Sequence, residues 1–335
     1  MTQKDIAKKL KVSQKTVSRV LNNERLVKVQ TREKILRELQ ASGYVLNKNA
    51  HNLATGRQNA IGLLIPNRAT MDSIYFLSSL QEIVMETERL HQDVVFHTLD
   101  EGPGKETLSR FLNQIDGLII YHVEEGFTQL PKLTGILQKS SKPFIVIQVA
   151  PSLKDLPCIS IDNFSGGLQA VEHLYELGHR QIYCVSQRLR QGESYEYRER
   201  YRGFFAGLNK YGLARDKSRL MILADDELSA GIGRLVALPK ERRPTGLFIN
   251  SDRFARLTVF ELLKLGMSVP GDFSLIGFND FLPFTQMIHP YLTSVRQPFH
   301  KLGKAALNCI NDPSLNNSSI LIKPELIVRE SCRKL

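Results

Sequence analysis

The sequence TQKDIAKKLKVSQKTVSRVLNN, residues 2–23, contains two short amphipathic helical patterns. The apolar residues of each pattern fall on one helical face: Ile6, Ala7 and Leu10 in the first, and Val17, Val20 and Leu21 in the second. Only three residues separate the two patterns, and the hydroxyl of Ser13 is expected to cap the second helix by accepting a backbone N–H. Because so short a turn makes two helices cross steeply, the segment predicts a helix-turn-helix.

A third amphipathic pattern follows at residues 31–42. Thr31 is expected to cap its N-terminus, with Glu33 in the first turn, where the helix dipole favours an acid. Gly43 is expected to end it, because glycine readily adopts the left-handed conformation that follows a helix. The residues expected on its buried face are Ile35, Leu36 and Leu39.

The positive charge of the chain is concentrated at this end. The 335 residues carry a formal net charge of +11, and residues 1–60 contribute +9 of it, from 13 basic and four acidic side chains. The other 275 residues are nearly neutral, with 32 basic and 30 acidic side chains. A basic segment of this size indicates a polyanionic partner, and charge alone fits DNA, RNA or a lipid surface about equally well.

The polar face of the second helical pattern favours DNA among these partners. Arginine and lysine donate to guanine in the major groove, and glutamine pairs with adenine. A solvated helix face is the alternative, and the charge pattern alone would support it. The short turn and the base-reading side chains favour a helix that enters the major groove. The residues of this face are Gln14, Lys15, Ser18, Arg19 and Asn22.

After residue 60, short apolar runs alternate with helical patterns, which is typical of βαβ units and parallel sheets. The runs lie at residues 61–66, 93–99, 117–123 and 143–148, and then at 158–162, 181–187, 219–224, 246–251 and 273–279. Two doubly wound lobes are therefore predicted. Such sheets bind ligands beyond the carboxyl ends of their strands, so a cleft between the lobes is the expected ligand site. The candidates that follow the runs are Asn67, Gln148, Ser251, Asp252, Asn279 and Asp280.

Other classes of protein lack support in the sequence. The four cysteines are far apart and form no CxxC pair, so neither a disulfide framework nor a zinc site is predicted, and no metal or cofactor is expected. The N-terminus has no apolar leader, and no apolar run approaches the ~18 residues of a membrane span, so a cytoplasmic protein without a membrane partner is expected. GxGxxG, P-loop, HExxH and GxSxG motifs are all missing, so a dehydrogenase or hydrolase is not predicted.

The chain resembles the lac-repressor-type (LacI/GalR) family of bacterial transcription regulators along nearly its whole length. The motifs that carry the resemblance are residues 2–23, TREKIL (31–36), GYVLNKNAHNLATGR (43–57), IGLLIP (61–66), DNFSGG (162–167), VPGDFSLIGFND (269–280) and LTSVRQP (292–298). It implies a sequence-specific repressor that binds palindromic operator DNA as a homodimer. The implied effector is a small molecule, expected to be a sugar or sugar derivative, in the cleft between the lobes. A soluble sugar-binding protein without DNA regulation is the alternative.

The resemblance also implies an order of domains. A helix-turn-helix DNA-binding domain is expected at residues 1–46, a hinge helix and linker at 47–59, and an effector-binding and dimerisation core at 60–335. The core is similar to periplasmic sugar-binding proteins, with an N-lobe at about 60–162 and 293–318 and a C-lobe at about 163–292 and 319–335. A dimer rather than a tetramer is expected, because little sequence follows the last strand pattern.

By matching positions, the resemblance assigns DNA contacts. It implies that Gln14, Lys15 and Arg19 read bases, and that Thr16, Ser18 and Asn22 contact phosphates. The implied hinge contacts are Asn47, Ala50 and Leu53, with Leu53 wedged into the minor groove. Residues 48–54 are too few to form a stable helix alone in water, which fits a helix that orders on DNA. A simple linker is the alternative.

Three residues in these segments depart from the family pattern. Lys11 stands where glycine is usual in the turn, Leu46 where proline usually precedes the hinge, and His51 where arginine is common. A non-glycine residue in a left-handed turn costs on the order of 1 kcal/mol. Loss of the proline leaves the entry to the hinge less rigid, so the docking angle of the hinge cannot be transferred from relatives.

The resemblance assigns effector contacts in the core as well. Arg200 is implied to clamp effector oxygens, although the charged string at residues 196–202 also fits a solvated helix face. Asn279 replaces the usual aspartate and Ser251 the frequent asparagine, so the chemistry of the effector cannot be copied from relatives. Asp280, Asp162 and Asn163 are equally compatible with capping or turn roles. The implied apolar wall is Ile74, Tyr75 and Phe76, and the implied hydrogen-bonding set is Gln148, Ser251, Asp252 and Asn279.

Overall fold

The computed structural model describes residues 2–21, 26–44, 52, 56–65, 74–99, 105–123, 130–149, 156–189, 194–213, 216–287, 289–315 and 319–335. Its internal contacts divide the chain into two compact units, Met1–Gln58 and Asn59–Leu335, which we call the head and the core. None of the helices in these ranges is long and apolar enough to cross a lipid bilayer.

The head contains three helices, α1 at Gln3–Leu10, α2 at Gln14–Leu21 and α3 at Val29–Ala41. The turn between α1 and α2 has the predicted length, and a small apolar cluster joins all three helices. A capping box starts α1, because the Thr2 hydroxyl accepts from the Asp5 N–H and the Asp5 carboxylate accepts from the Thr2 N–H. The buried members of the cluster are Ile6, Ala7, Val17, Val20, Ile35 and Leu39.

The third helix differs from its prediction in two respects. It begins at Val29, after Lys28 and without a side-chain cap, so Thr31 lies inside the helix and is not its cap, and Glu33 lies beyond its first turn. Leu36 is 49% exposed although we expected it to be buried. Ile35 and Leu39 are four residues apart and fill the single row that faces α1 and α2, which leaves Leu36 on the flank. Gly43 has a φ of +60° just beyond the helix, as predicted.

The first sheet of the core is fully parallel. Its strands are β1 at Ala60–Ile65, β2 at Asp93–Thr98, β3 at Gly117–Val123, β4 at Phe144–Val149, β5 at Cys158–Ile161 and β11 at Ser319–Ile322. They lie in the order β11-β5-β4-β3-β1-β2. The helices of this N-lobe are α4 at Ile74–Arg89, α5 at Lys105–Leu112, α6 at Leu130–Ser140 and α12 at Phe299–Asn311, which packs on α4.

The second sheet forms the C-lobe. Its strands are β6 at Ile182–Gln187, β7 at Leu220–Leu223, β8 at Gly246–Ile249, β9 at Ser274–Asn279, β10 at Thr293–Arg296 and β12 at Glu325–Ile327. They lie in the order β12-β10-β9-β8-β6-β7, and β12 is antiparallel to β10. The helices are α7 at Asn163–Glu176, α8 at Tyr195–Lys210, α9 at Leu228–Val236, α10 at Asp252–Lys264 and α11 at Leu282–Thr285. Short 3-10 turns lie at Lys217–Arg219, Asp225–Glu227 and Pro313–Leu315.

All nine predicted apolar runs contain strands, and eight of them lie in the sheet of their predicted set. The run at 158–162, which was grouped with the second set, is β5 of the first sheet. Every residue of β1 and of β9 is buried, which is typical of parallel strands covered on both faces. The core therefore has the predicted architecture of two doubly wound lobes.

The predicted lobe boundaries near the C-terminus are wrong. We placed residues 293–318 in the N-lobe and 319–335 in the C-lobe, but β10 pairs with β9 in the C-lobe and β11 pairs with β5 in the N-lobe. The chain crosses from the C-lobe to the N-lobe after β10, not before it, and returns after β11, since β12 joins β10. Together with the crossing between β5 and α7, the lobes share three crossovers.

Candidate functional site

The exposed surface of α2 carries the residues that were predicted to read DNA. Gln14 and Lys15 are exposed, and Thr16, Ser18 and Arg19 are partly exposed, whereas Val17 and Val20 between them are buried. Packing of the valines against α1 and α3 therefore fixes which side chains α2 presents outward. Of the other predicted DNA contacts, Asn22, Asn47, Ala50 and Leu53 lie outside the described residues, as do the departures at Leu46 and His51.

The turn before α2 holds this surface in place. The Ser13 hydroxyl accepts from the Thr16 N–H at 3.0 Å and pairs with the Thr16 hydroxyl at 2.8 Å, which confirms the predicted cap. Lys11 has a φ of +52° and a ψ of +42°, so it occupies the left-handed conformation for which glycine is usual. The Val12 N–H then donates to the Ala7 carbonyl at 3.0 Å and closes α1.

An ion pair at one edge of the head adds a tertiary contact. The Lys9 ammonium lies 2.6 Å from the Glu38 carboxylate and joins α1 to α3. Because Lys9 is mostly exposed, this pair is expected to contribute less than about 1 kcal/mol. The six buried apolar residues carry most of the stability of the head.

Arg200 lies in the interior of the C-lobe. The residue is only 3% exposed. Its guanidinium donates from Nε to Asn163 Oδ1 at 2.9 Å and from Nη1 to the Asn250 carbonyl oxygen at 2.6 Å. The guanidinium also lies 3.7 Å from the ring centroid of Phe278. The alternative of a solvated helix face is therefore wrong for Arg200, whose position is fixed by charge-assisted hydrogen bonds and a cation–π contact.

Two glycines allow the helix contact that positions Arg200. A Cβ on Gly203 of α8 would lie 2.0 Å from the Phe164 carbonyl oxygen, and one on Gly167 of α7 would lie 2.2 Å from the Arg200 carbonyl oxygen. No side chain fits at either position without moving backbone. The close packing of α7 on α8 thus requires glycine on both helices.

Ser251 and Asp252 begin α10 and are both buried. The Ser251 hydroxyl accepts from the Phe254 N–H at 3.3 Å, so it caps the helix. Asp252 accepts from the Ser294 hydroxyl at 2.6 Å and from the Phe281 N–H at 2.8 Å. Desolvation by full burial raises the pKa of Asp252 to about 7, although both hydrogen bonds oppose that shift. The Asp252 carboxylate is engaged by protein donors, and it fastens the loop after β9 to β10.

The last residue of β9 and the first residue of that loop both have positive φ, Asn279 at +108° and Asp280 at +56°. The side-chain oxygen of Asn279 accepts from Gln297 Nε2, while its Nδ2 is buried without a hydrogen-bond partner among the described residues. Asp280 is neither a helix cap nor solvated, because its carboxylate lies 2.7 Å from the Arg296 guanidinium and 2.6 Å from that of Arg329.

A cavity of about 280 Å³ lies between the lobes beside this loop. Its walls come from α4, from residues 279–282, and from the crossover that leads into α12. Asn279 and Asp280, both of which the sequence offered as candidates for the ligand site, line it. Sequence reasoning missed Gln297 and Phe299, although Gln297 follows the carboxyl end of a strand, as the other candidates do.

The remaining predicted effector residues have different surroundings. Gln148 is buried near the end of β4 with a φ of +59°. Phe76 is buried in the N-lobe cluster beside Tyr121, with ring centroids 5.1 Å apart. Ile74 and Tyr75 start α4, but their side chains, like Asn67, lie outside the described residues. Asp162 caps α7 by accepting from the Ser165 N–H at 2.9 Å, which confirms the capping interpretation.

Comparison with known proteins agrees with this arrangement. Residues 2–47 match the family described as "Bacterial regulatory proteins, lacI family", and residues 171–332 match "Periplasmic binding protein-like domain". Together the two matches cover more than half of the chain. The HTH-type transcriptional repressor CytR of Escherichia coli (strain K12) is 29% identical over an alignment of 347 positions that covers 100% of this chain and 97% of that protein.

Two solved structures have the same fold over 99% of both chains. They are the lac repressor dimer bound to operator and the anti-inducer ONPF, with a TM-score of 0.68 at 22% identity, and the complex of the transcriptional regulator CelR with cellobiose, with a TM-score of 0.65 at 23% identity. The relatives are regulators and not enzymes. Residues 2–47 therefore belong to the lacI family of bacterial regulatory proteins, and the chain is a DNA-binding transcriptional regulator whose core has the fold of periplasmic binding proteins.

Proposed function

We propose that this regulator represses transcription in the cytoplasm by binding a palindromic DNA operator as a homodimer. A small-molecule effector controls this binding. The proposal rests on the row of polar side chains that α2 exposes. Gln14, Lys15 and Arg19 lie on one exposed surface of a helix whose opposite side is packed in the head. A helix of this kind presents its N-terminal side chains to base edges in the major groove.

A palindromic operator requires two copies of the head, and the core offers apolar surface for pairing them. Leu77 and Met85 on α4 are each 56% exposed, and Phe260 and Leu263 on α10 are similarly exposed. Exposed apolar residues grouped on a helix are typical of subunit interfaces. A two-fold dimer that buried them would present two α2 helices to the two halves of an operator.

We further propose that Gln14, Lys15 and Arg19 read bases, that Thr16, Ser18 and Asn22 contact phosphates, and that Asn47, Ala50 and Leu53 form the hinge contacts. The effector lies between the lobes and is a carbohydrate or a carbohydrate derivative. The regulator CelR, which has this fold, is solved with cellobiose. An effector shifts the lobes only if it binds one arrangement more tightly than the other. Arg200 and Asn279 are on the C-lobe side, so their contacts with an effector depend on how the lobes close.

The test of DNA reading uses the full chain and oligonucleotides selected from a random library, followed by fluorescence anisotropy titrations. Arg19→Ala is expected to lose about 1–3 kcal/mol of discrimination at one base pair. Lys240→Ala, which removes an exposed charge from the core, is the matched control and should leave the base preference unchanged. Failure to select any sequence at moderate salt would contradict the proposal.

The test of effector control uses a thermal-shift screen of sugars and sugar derivatives. A ligand at 100 times its dissociation constant stabilises the core by about 2.7 kcal/mol. Arg200→Gln should abolish that response without changing DNA binding, whereas Arg202→Gln, whose side chain is 68% exposed, should preserve it. Equal loss in both variants would show that Arg200 has no special role.

A further inference from the structure

The loop after β9 and the start of α12 form an electropositive wall of the cavity between the lobes. One carboxylate, that of Asp280, is shared by the guanidinium groups of Arg296 and Arg329. These three groups together carry a net charge of +1, and the Asp252 carboxylate, which accepts from the Phe281 N–H, offsets part of it when ionised. Arg296 lines the cavity directly, beside Asn279.

The start of α12 contributes to the same wall. The helix is 13 residues long, its first turn contains no acid, and no side chain caps its N-terminus, which follows Pro298. Its first two residues, Phe299 and His300, both line the cavity. The N-terminus of a helix carries a partial positive charge and favours an anion nearby.

Asn279 provides the observation that points to a ligand. The residue is 5% exposed and lines the cavity, and its Nδ2 has no hydrogen-bond partner within the described part of the chain. Its Oδ1 accepts from Gln297, so the group of this amide that lacks a protein partner is an N–H donor. A buried donor without a partner is unfavourable, and an acceptor that enters the cavity restores the missing hydrogen bond.

The opposite wall differs in chemistry. It comes from α4 and presents Ser78, Gln81 and the carboxylate of Glu82. These side chains suit the hydroxyl groups of a ligand, and Glu82 repels an anion, so a negative group is directed towards the loop and away from α4. The two walls therefore select a ligand with hydroxyl groups at one end and an anionic oxygen at the other.

We infer that this cavity is the subsite for an anionic oxygen of the effector, and that the effector is a sugar acid or a sugar phosphate rather than a neutral sugar. The inference rests on the proposed control by a ligand between the lobes and deepens it by giving the effector a charge. Asn279 supplies the specificity: an aspartate at this position would add a negative charge where the ligand carries one.

The experiment is isothermal titration of the full chain with D-glucose, D-glucuronate and D-glucose 6-phosphate, and with D-ribose and D-ribose 5-phosphate. At least one anionic probe is expected to bind ten times more tightly than its parent sugar, and the two kinds of anion separate a carboxylate from a phosphate subsite. Asn279→Asp should weaken binding of the anionic probe by at least about tenfold, because the new carboxylate repels the probe and the N–H donor is lost. Asn308→Asp adds the same charge to an exposed position of α12 and should leave the affinity for the anionic probe unchanged.

Two further variants keep the test independent of the folding of Asn279→Asp. Arg296→Gln should lower the affinity for the anionic probe about threefold to tenfold, and Glu82→Gln should raise that affinity. Equal affinity for parent sugars and anions, no binding of any anionic probe, or an unchanged response in all three variants overturns the inference. Operator binding without any effector is measured in parallel, so intact DNA binding with no preference for anions rejects this inference and leaves the proposed function standing.

Discussion

The head and the core hold their functional side chains in opposite ways. In the head, Gln14 and Lys15 point outward from a short helix, and six buried residues fix the orientation of that helix. In the core, Arg200 and Asn279 are buried, and their neighbours fix them by hydrogen bonds. A DNA-reading surface thus depends on how its helix is packed, whereas an effector site depends on the contacts of each side chain. Each of the following variants tests that difference.

Ile35→Ala should have the largest effect. It removes one of six residues in the apolar cluster of the head and is expected to cost about 2–5 kcal/mol, a large part of the stability of so small a unit. DNA binding should be lost while the thermal transition of the core stays unchanged in calorimetry. Leu36→Ala, at the exposed neighbouring position, is the control and should cost less than about 1 kcal/mol. A parallel loss in the core would mean that the two units do not unfold separately.

Asp252→Asn tests a contact inside the core. The pKa of Asp252 is raised from 3.8 to about 7, so the folded core binds this proton more tightly than the unfolded chain does. Its contribution to stability is therefore complete below pH 4 and is lost as the pH rises to 7, by up to about 4 kcal/mol. Urea titrations from pH 5 to pH 8 should show this decline in the natural chain and not in the variant. Identical pH profiles would contradict the assignment.

Gly203→Ala should act on the core alone. Its Cβ would collide with the Phe164 carbonyl, so α7 and α8 must separate at a cost of about 1–3 kcal/mol. Arg200 would move with α8, and the effector response should weaken while DNA binding without effector is retained. Gly233→Ala, on α9 where a Cβ meets open space, should instead stabilise the core by about 0.5–1 kcal/mol. The melting temperature of the core should fall in Gly203→Ala and rise in Gly233→Ala, and calorimetry of both variants checks this.

Lys11→Gly should have the smallest effect on stability, and it should stabilise the head. It relieves a left-handed conformation that costs a lysine on the order of 1 kcal/mol. The more flexible unfolded chain offsets part of that gain, so the melting temperature of the head should rise by only a few degrees. Base preference should not change, since Lys11 precedes α2. Lys8→Gly, inside α1, should lower the melting temperature.

The sequence predicted those features that depend on local pattern. The cap at Ser13, nine strands of the two sheets and the glycine that ends α3 follow from neighbours within a few residues. The assignment of β11 to a lobe failed because its partner β5 lies more than 100 residues earlier in the chain. β10 pairs with the preceding strand β9, and it was misassigned because the crossover was placed before it and not after it. Asp252 was predicted to contact an effector because it stands near a strand end, and Phe76 was assigned by the family resemblance. Only the fold decides whether such a side chain turns towards a cleft or into the protein.

The three crossovers between the lobes have a consequence for synthesis of the chain. Both sheets receive a strand from residues 319–327, one at the edge beside β5 and one beside β10. Neither lobe can therefore complete its sheet until these residues have left the ribosome. The head emerges before the core, so it can fold and meet DNA before the sensor that controls it is complete. A premature stop upstream of β11 would leave a DNA reader joined to two incomplete lobes.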